Sequence, residues 1–499
     1  MTDTTQKSSA ATTADAERTE IAAAAREISG LIAGWVELRR RMLRTPGVQY
    51  AVRVDGELIA SGAFGLADAD EGIPLRADHL FRIASHSKTF AATAVMILRD
   101  RGLLRLDDTV ATHVPALADT PLADRTVREL IGHQGGVIRD GDDCDYWQLM
   151  HDFPDTATLL DELHGEGVSF GANEYFKYSN YGYSVVGQVI ESVSGRSFSD
   201  FVTEAIIGPL GLPRITSDLP AGTDDGHTDL AAGHSLLLDG DDELFTLRNP
   251  STGSMAAATG FVACAEDLSA YASAHVTGDE RLLADSTKRL MQRTESIVSA
   301  DDEEIGRYAL GLELHTIGKH AFVGHSGGFP GFVTRTFVDP KSSLVVSVLT
   351  NASRGPAHQL AVGIVKLIDL AVKTRARGAD DEADPDIDLD TFATTVVAGF
   401  GRTTIARMGA RLLLLHPEQD DPTVEATELT VRGPDRLEIA RRPGYGSAGE
   451  PVIYQRTDGA IEVVRLGGMS AWPEAAFRAR RRQQMARSER VNTPPAPAP

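Results

Sequence analysis

Ser85 stands three residues ahead of Lys88 in the stretch Phe81-Arg82-Ile83-Ala84-Ser85-His86-Ser87-Lys88-Thr89-Phe90, where a strand-and-loop pattern gives way to a helical one. On a helix, positions i and i+3 share a face with Cβ atoms about 5–6 Å apart, so an amine can touch the hydroxyl without tertiary help. A serine hydroxyl is a weak nucleophile at neutral pH and needs an adjacent base, which this spacing supplies. Ser85 is the candidate nucleophile and Lys88 its proton acceptor. The free N–H groups of a helix start also favour the oxyanion that forms in acyl transfer. Ser-x-x-Lys arises by chance in many chains, but no other lysine here has a serine three residues upstream. The reading then depends on partners.

A lysine has a reference pKa of about 10.4, so Lys88 acts as a base only where burial or nearby positive charge favours its neutral form. Tyr178-Ser179-Asn180 offers a phenol for proton exchange with the serine or the leaving group, and an amide to orient substrate. Gly324-His325-Ser326-Gly327-Gly328 lies between two strand patterns. Its glycines allow the backbone to approach a ligand closely, and the N–H near Gly328 is a candidate to form an oxyanion hole with that of Ser85. His325 is a candidate partner for Tyr178 or for substrate.

In that order, separated by about ninety and one hundred and fifty residues, the three motifs resemble the serine β-lactamase and penicillin-recognising hydrolase superfamily. The nearest branch is that of class C β-lactamases, DD-peptidases, D-aminopeptidases and related esterases. The blocks Phe81-Arg82-Ile83-Ala84-Ser85, Thr126-Val127-Arg128-Glu129-Leu130-Ile131-Gly132-His133 and Gly324-His325-Ser326-Gly327-Gly328-Phe329-Pro330-Gly331-Phe332 carry the resemblance further, over about residues 45 to 375. It implies that Ser85 is acylated, that Lys88 and Tyr178 share acid and base work, that Asn180 contacts the acyl side chain, and that Gly328 supplies the second oxyanion N–H. Where class C enzymes resemble Lys-Thr-Gly this chain has His325-Ser326-Gly327, as DD-peptidases and D-aminopeptidases do. Loss of a permanent cation weakens recognition of a β-lactam carboxylate. The expected function is hydrolysis of small esters, amides or peptides, with D-amino-acid substrates in view. β-Lactamase or DD-carboxypeptidase activity is the alternative, and a non-catalytic binding module the second alternative.

Gly324-His325-Ser326-Gly327-Gly328 also satisfies Gly-x-Ser-x-Gly, which would make Ser326 the nucleophile on an α/β-hydrolase elbow. An elbow needs a helix immediately after the serine, and Phe329-Pro330-Gly331-Phe332 leads into an alternating strand instead. His227 and His234 sit in no metal-binding spacing and read as surface or core histidines. No phosphate loop or dinucleotide fingerprint is present, so neither cofactor nor metal is expected.

Several elements must position these groups. Ala16 to Leu43 has the periodicity of an amphipathic helix, with Ile21, Ile28, Ile32, Trp35 and Val36 on one side. Val48 to Val54 alternates and ends at Asp55-Gly56, a hairpin signal, with a second strand to about Gly65. The nucleophile helix runs to about Arg101, burying Phe90, Ala94, Ile97 and Leu98. Leu106 to Gly211 reads as a helical lobe, in which Tyr146 and Trp147 are candidates for lining the cleft mouth. Tyr308 to Leu314, Phe332 to Val338 and Leu344 to Leu349 read as strands, the last two joined by a turn at Asp339-Pro340-Lys341-Ser342, and Leu360 to Val372 as a helix covering one sheet face. The expected class is α+β, an antiparallel sheet flanked by helices with an all-helical lobe, plus a small C-terminal β-barrel or sandwich. The expected boundaries are a disordered start (1–15), the hydrolase domain (16–376), an acidic linker (377–390), the β domain (391–482) and a tail (483–499).

Acidic residues outnumber basic ones by 71 to 49, a net charge of −22 that repels nucleic acid and anionic lipid. The run Arg478-Ala479-Arg480-Arg481-Arg482 reads as a solvated helix end or tail. Two cysteines, Cys144 and Cys264, are too few for a disulfide framework. With no stretch of about 20 apolar residues and no basic segment followed by an apolar run at the start, the chain as given is expected in the cytoplasm. Its expected partner is a small-molecule or short-peptide substrate, with no nucleic acid and no membrane; the oligomeric state is not legible.

Overall fold

A computed structural model describes residues 2–165, 167–220, 229–241, 243–301, 303–378, 387–441 and 447–492, with side chains from residue 15 to residue 485. The chain divides into two compact units, residues 1–22 with 39–362 and residues 23–38 with 363–499.

The first unit is built on one antiparallel sheet. Its strands are β1 (Gly47–Val54), β2 (Glu57–Asp68), β3 (Ile73–Pro74), β4 (Ser296–Ala300), β5 (Glu303–Tyr308), β6 (Glu313–Ile317), β7 (His320–Phe329), β8 (Phe332–Val338) and β9 (Leu344–Thr350), in the order β3-β2-β1-β9-β8-β7-β6-β5-β4. Asp55 and Gly56 both take positive φ, the geometry of the two-residue turn that matches strand twist, and the β1–β2 hairpin follows as expected. The turn after β8 also falls where its Asp-Pro signal lies. The strand expected over 308–314 is instead two strands. Gly311 at φ +78° breaks it, and the Ala309 N–H bonds back to the Leu312 carbonyl.

Between β3 and β4 the chain forms the helical lobe. The expected nucleophile helix (Ser87–Asp100) is buried along most of its length. Phe90 is stacked between Tyr271 and Phe261, with ring centroids 3.7 and 4.2 Å away. The apolar face at Phe90, Ala94, Ile97 and Leu98 is buried as its spacing requires. A second buried helix (Asn180–Ser194) carries the Tyr178 segment at its start.

The second unit holds a closed barrel of eight antiparallel strands between Thr394 and Pro473. The expected barrel-or-sandwich thus resolves as a barrel. Strands at Thr394–Ala398, Gly401–Met408 and Met469–Pro473 were not legible, because they alternate weakly. In the same unit Trp35 packs on Gly363, where an added Cβ would lie 2.1 Å from the indole.

Some boundaries move. The start expected to be disordered has helical backbone from Thr2, and the single helix expected over 16–43 is two, Thr2–Glu27 and Ser29–Met42. The helix Glu474–Asn492 occupies much of the expected tail, and Arg478 and Arg480–Arg482 are solvent-exposed on it. Residues 379–386 of the acidic linker, His227 and residues 493–499 lie outside the described residues. Both cysteines are free thiols. Among the described residues no helix is long and apolar enough to cross a membrane.

Candidate active site

Ser85 sits in a tight turn, Ala84–His86, immediately before the nucleophile helix, rather than on the helix proper. Ala84 has φ +48°, a left-handed conformation that costs an L-residue energy and is held here by its surroundings. The Ser87 hydroxyl donates to the Ala84 carbonyl at 2.6 Å and accepts the Phe261 N–H at 3.0 Å, which clamps the turn. Ser85 itself stays half-exposed at this elbow.

The structure brings Lys88 and Tyr178 to Ser85. Lys88 Nζ is 3.1 Å from Ser85 Oγ, 2.7 Å from Asn180 Oδ1 and 2.8 Å from the Ala258 carbonyl oxygen. The last two oxygens can only accept. A neutral amine therefore spends its two protons on them and turns its lone pair to the serine hydroxyl. The Tyr178 hydroxyl donates to Ser85 Oγ at 2.8 Å. Lys88 is fully buried, and this burial pulls its pKa down to about 7, against the charge of Asp140. Burial pushes the Tyr178 phenol above its ordinary value, so it stays protonated at neutral pH. The two groups near the serine are thus an available base and an available acid.

Asn180 Oδ1 takes Lys88 and its Nδ2 donates to Asp140 Oδ1 at 2.6 Å, so one of its two amide hydrogens is used inside the protein. The segment 133–140 cradles the second motif. The His133 ring lies against Tyr178 with centroids 4.3 Å apart, and its Nδ1 accepts the Ser179 N–H. Ser179 Oγ donates to the Ile138 carbonyl, and the Arg139 carbonyl accepts from Asn180 and Tyr181.

The third motif lies on β7, not on a strand-to-helix elbow, which removes Ser326 as an α/β-hydrolase nucleophile. The Ser326 hydroxyl donates to Glu313 Oε1 at 2.6 Å and its N–H donates to the same oxygen. Strand β6 pairs with β7 only as far as Gly324, so the later residues of β7 have one edge unpaired by β6. Along a strand, N–H groups two residues apart point the same way. The Gly328 N–H is therefore directed to the edge that the Ser326 N–H faces. Gly327 approaches the nucleophile turn closely: a Cβ there would lie 2.2 Å from the Ile83 carbonyl oxygen.

His325 does not bond to Tyr178, whose ring centroid is 6.5 Å away. Its Nδ1 lies 2.6 Å from the Ser326 carbonyl oxygen and so carries the proton, and its Nε2 accepts from the Tyr308 hydroxyl at 3.0 Å. Burial holds the ring neutral, with a pKa near 4. Glu313 takes Arg335 and His315 besides Ser326. Burial works to protonate it, but the hydrogen bonds of His315 and Ser326 and the charge of Arg335 outweigh that and hold it well below the usual carboxylate range.

Of the mouth candidates, Tyr146 is core: it is 1% exposed, and its hydroxyl donates to the Asp140 carbonyl. Trp147 is half-buried and meets Phe329 and Phe153 edge-on. His234 is buried, with Nε2 accepting the Ala69 N–H. Asp140, Glu313, Tyr308, His133 and the Ala258 carbonyl had no sequence signal as site groups, since each acts through a contact distant in the chain. Among the described residues no three His, Cys, Asp or Glu side chains converge as a metal would need.

A family model described as Beta-lactamase matches residues 32–367. Penicillin-binding protein 4* of Bacillus subtilis (strain 168) is 33% identical over 165 residues, 32% of this chain and 35% of that protein. The chain thus matches about a third of that curated relative's length. Among solved structures, SurE is 25% identical with a TM-score of 0.56, covering 92% of this chain and 99% of SurE. The D-amino acid amidase from Ochrobactrum anthropi SV3, complexed with L-phenylalanine, is 24% identical with a TM-score of 0.59, covering 70% and 99%.

Proposed function

The chain belongs to the Beta-lactamase family, and we propose that it is a serine hydrolase that forms an acyl-enzyme on Ser85 and acts on small esters, amides or peptides, D-amino-acid amides among them. The observation that carries the reading is the single hydroxyl flanked by a buried amine at 3.1 Å and a phenol at 2.8 Å. Neutral Lys88 accepts the Ser85 proton as Oγ bonds to the substrate carbonyl carbon. The resulting oxyanion takes the N–H groups of Ser85 and Gly328. As the bond to the leaving group breaks, Tyr178 gives that group its proton and takes the one held by Lys88, which returns both side chains to their starting states. Water then follows the reverse path to release the acid.

The D-amino-acid element rests on the likeness to the amidase, and the neutral His325 supports it negatively. With both ring nitrogens engaged and no permanent charge, the third motif lacks the cation that a β-lactam carboxylate would seek. One panel tests the proposal: p-nitrophenyl esters, D- and L-amino-acid p-nitroanilides and a chromogenic cephalosporin, with Ser85→Ala as control, beside fluorophosphonate labelling of native, Ser85→Ala and Ser326→Ala chains. Turnover and labelling are expected to vanish in Ser85→Ala alone. Labelling that survives Ser85→Ala overturns the assignment, rapid cephalosporin turnover selects the β-lactamase alternative, and absence of all reaction selects the binding-module alternative.

A further inference from the structure

Among the described residues Lys88 makes no ion pair, yet one carboxylate stands a single side chain behind it. Asp140 is 7% exposed, and its two oxygens are used differently: Oδ1 accepts Asn180 Nδ2 at 2.6 Å, and Oδ2 accepts Arg139 Nε at 2.9 Å. The backbone carbonyl of Asp140 takes the Tyr146 hydroxyl, and that of Arg139 takes the Asn180 and Tyr181 N–H groups, so the loop is tied down on both sides. A carboxylate can only accept. It therefore selects one of the two orientations of the Asn180 amide, the one that presents Oδ1 to Lys88.

We propose that Asp140 is a positioning residue for the acyl-transfer reaction, which fixes the Asn180 amide so that the Lys88 lone pair is aimed at Ser85, with Arg139 as its counter-ion. The inference rests on the function proposed above. In the opposite orientation Nδ2 would point a proton at Nζ, and the amine would have to turn its lone pair away from the serine to meet it. An amide at position 140 can either donate or accept, so it leaves both orientations of Asn180 open.

The pair also biases the charge of Lys88, in opposite senses. The groups facing Lys88 are Asp140 and Arg139 from the loop, Glu313 from β6, His325 from β7, His133 from the cradle, and the rings of Tyr178 and Tyr183. Asp140 and Glu313 favour the ammonium form and Arg139 opposes it, whereas the two histidines are held neutral by burial. Removing the Asp140 charge should lower the pH at which the base becomes available, and removing Arg139 should raise it.

The experiment compares full-length Asp140→Asn, Asp140→Glu and Arg139→Gln with the native chain, reading kcat and KM for a p-nitrophenyl ester across pH, with folding checked by thermal melting. Asp140→Asn is expected to lose about 10- to 100-fold in kcat with KM little changed, as for a misaimed base. Its acid limb should move down by roughly half to one unit. Asp140→Glu keeps the charge and should hold the limb in place. Arg139, 65% exposed, is a mild site, and Arg139→Gln should move the limb upward, so it carries the test even if Asp140→Asn fails to fold. A native kcat in a folded Asp140→Asn, or limbs that shift in the same direction in Asp140→Asn and Arg139→Gln, overturns the proposal. If Ser85→Ala keeps turnover, the functional reading itself fails; if it abolishes turnover while Asp140→Asn behaves as native, only the role of Asp140 does.

Discussion

Gly327→Ala is the most demanding test of how the third motif is docked. A methyl group there would lie 2.2 Å from the Ile83 carbonyl oxygen and 2.3 Å from Thr334 Oγ1, with the Ile83 carbonyl carbon at 3.0 Å. Ordinary carbon–oxygen contacts begin near 3.3 Å, so about 1 Å of separation has to be created. Thr334 can rotate, but the Ile83 carbonyl cannot retreat easily, because it accepts the His86 N–H at 3.1 Å and meets His86 Nδ1 at 3.0 Å. The movement therefore falls on β7, which carries the Gly328 N–H away from the carbonyl that Ser85 attacks in the proposed reaction. A displacement of that size costs on the order of 100-fold in rate, and forcing the methyl group into a packed interface costs about 1–3 kcal/mol of stability. Gly328→Ala is the matched control: its Cβ would meet nothing within 4 Å, so its stability should stay within about 0.5 kcal/mol of native. The assay is fluorophosphonate labelling rate and ester kcat/KM, alongside melting curves for both variants. A Gly327→Ala chain with native labelling and native turnover would refute the claim that this strand's closeness to the Ile83 carbonyl holds the site together.

With Lys88 as the base at about 7, kcat/KM is expected to rise with pH through neutrality and to fall about tenfold per unit below it, since protonation removes the lone pair; a flat profile between pH 5 and 8 would contradict the lysine's role. Tyr178→Phe removes the proton donor and leaves the ring against His133, so kcat should fall about 10²- to 10⁴-fold, most for amides, whose leaving groups need the proton, as parallel ester and anilide assays will read. Thr126 and Glu129 form a reciprocal cap on the short helix Val127–Ile131, so Thr126→Ala should cost about 0.5–2 kcal/mol in denaturant melts.

The elements most legible from the chain alone were those whose signal is local. The Ser85-to-Lys88 spacing, the hairpin at Asp55-Gly56, the buried stripe of the helix after Ser85 and the small β domain expected over 391–482 each depend on neighbours within a few residues, where periodicity and turn chemistry act. Where a local signal competed with tertiary contact, it misled. Tyr308 to Leu314 has strand composition, yet the chain turns at Gly311 with φ +78° and packs so closely on Ala92 that a Cβ there would lie 2.3 Å away.

The chain by itself therefore determined which residue types stand ready for acyl transfer, and in what order, because spacing along a backbone is set by covalent geometry. Tertiary structure alone decided what each of them touches. The base role proposed for Lys88 depends on folding, which removes its amine from water and places Asn180, 92 positions away, and the Ala258 carbonyl, 170 positions away, within hydrogen-bond reach. His325 loses its expected link to Tyr178 for the same kind of reason: Tyr308 reaches its free nitrogen first. Burial and hydrogen-bond direction are properties of packed neighbours, and no pattern read along the sequence carries them.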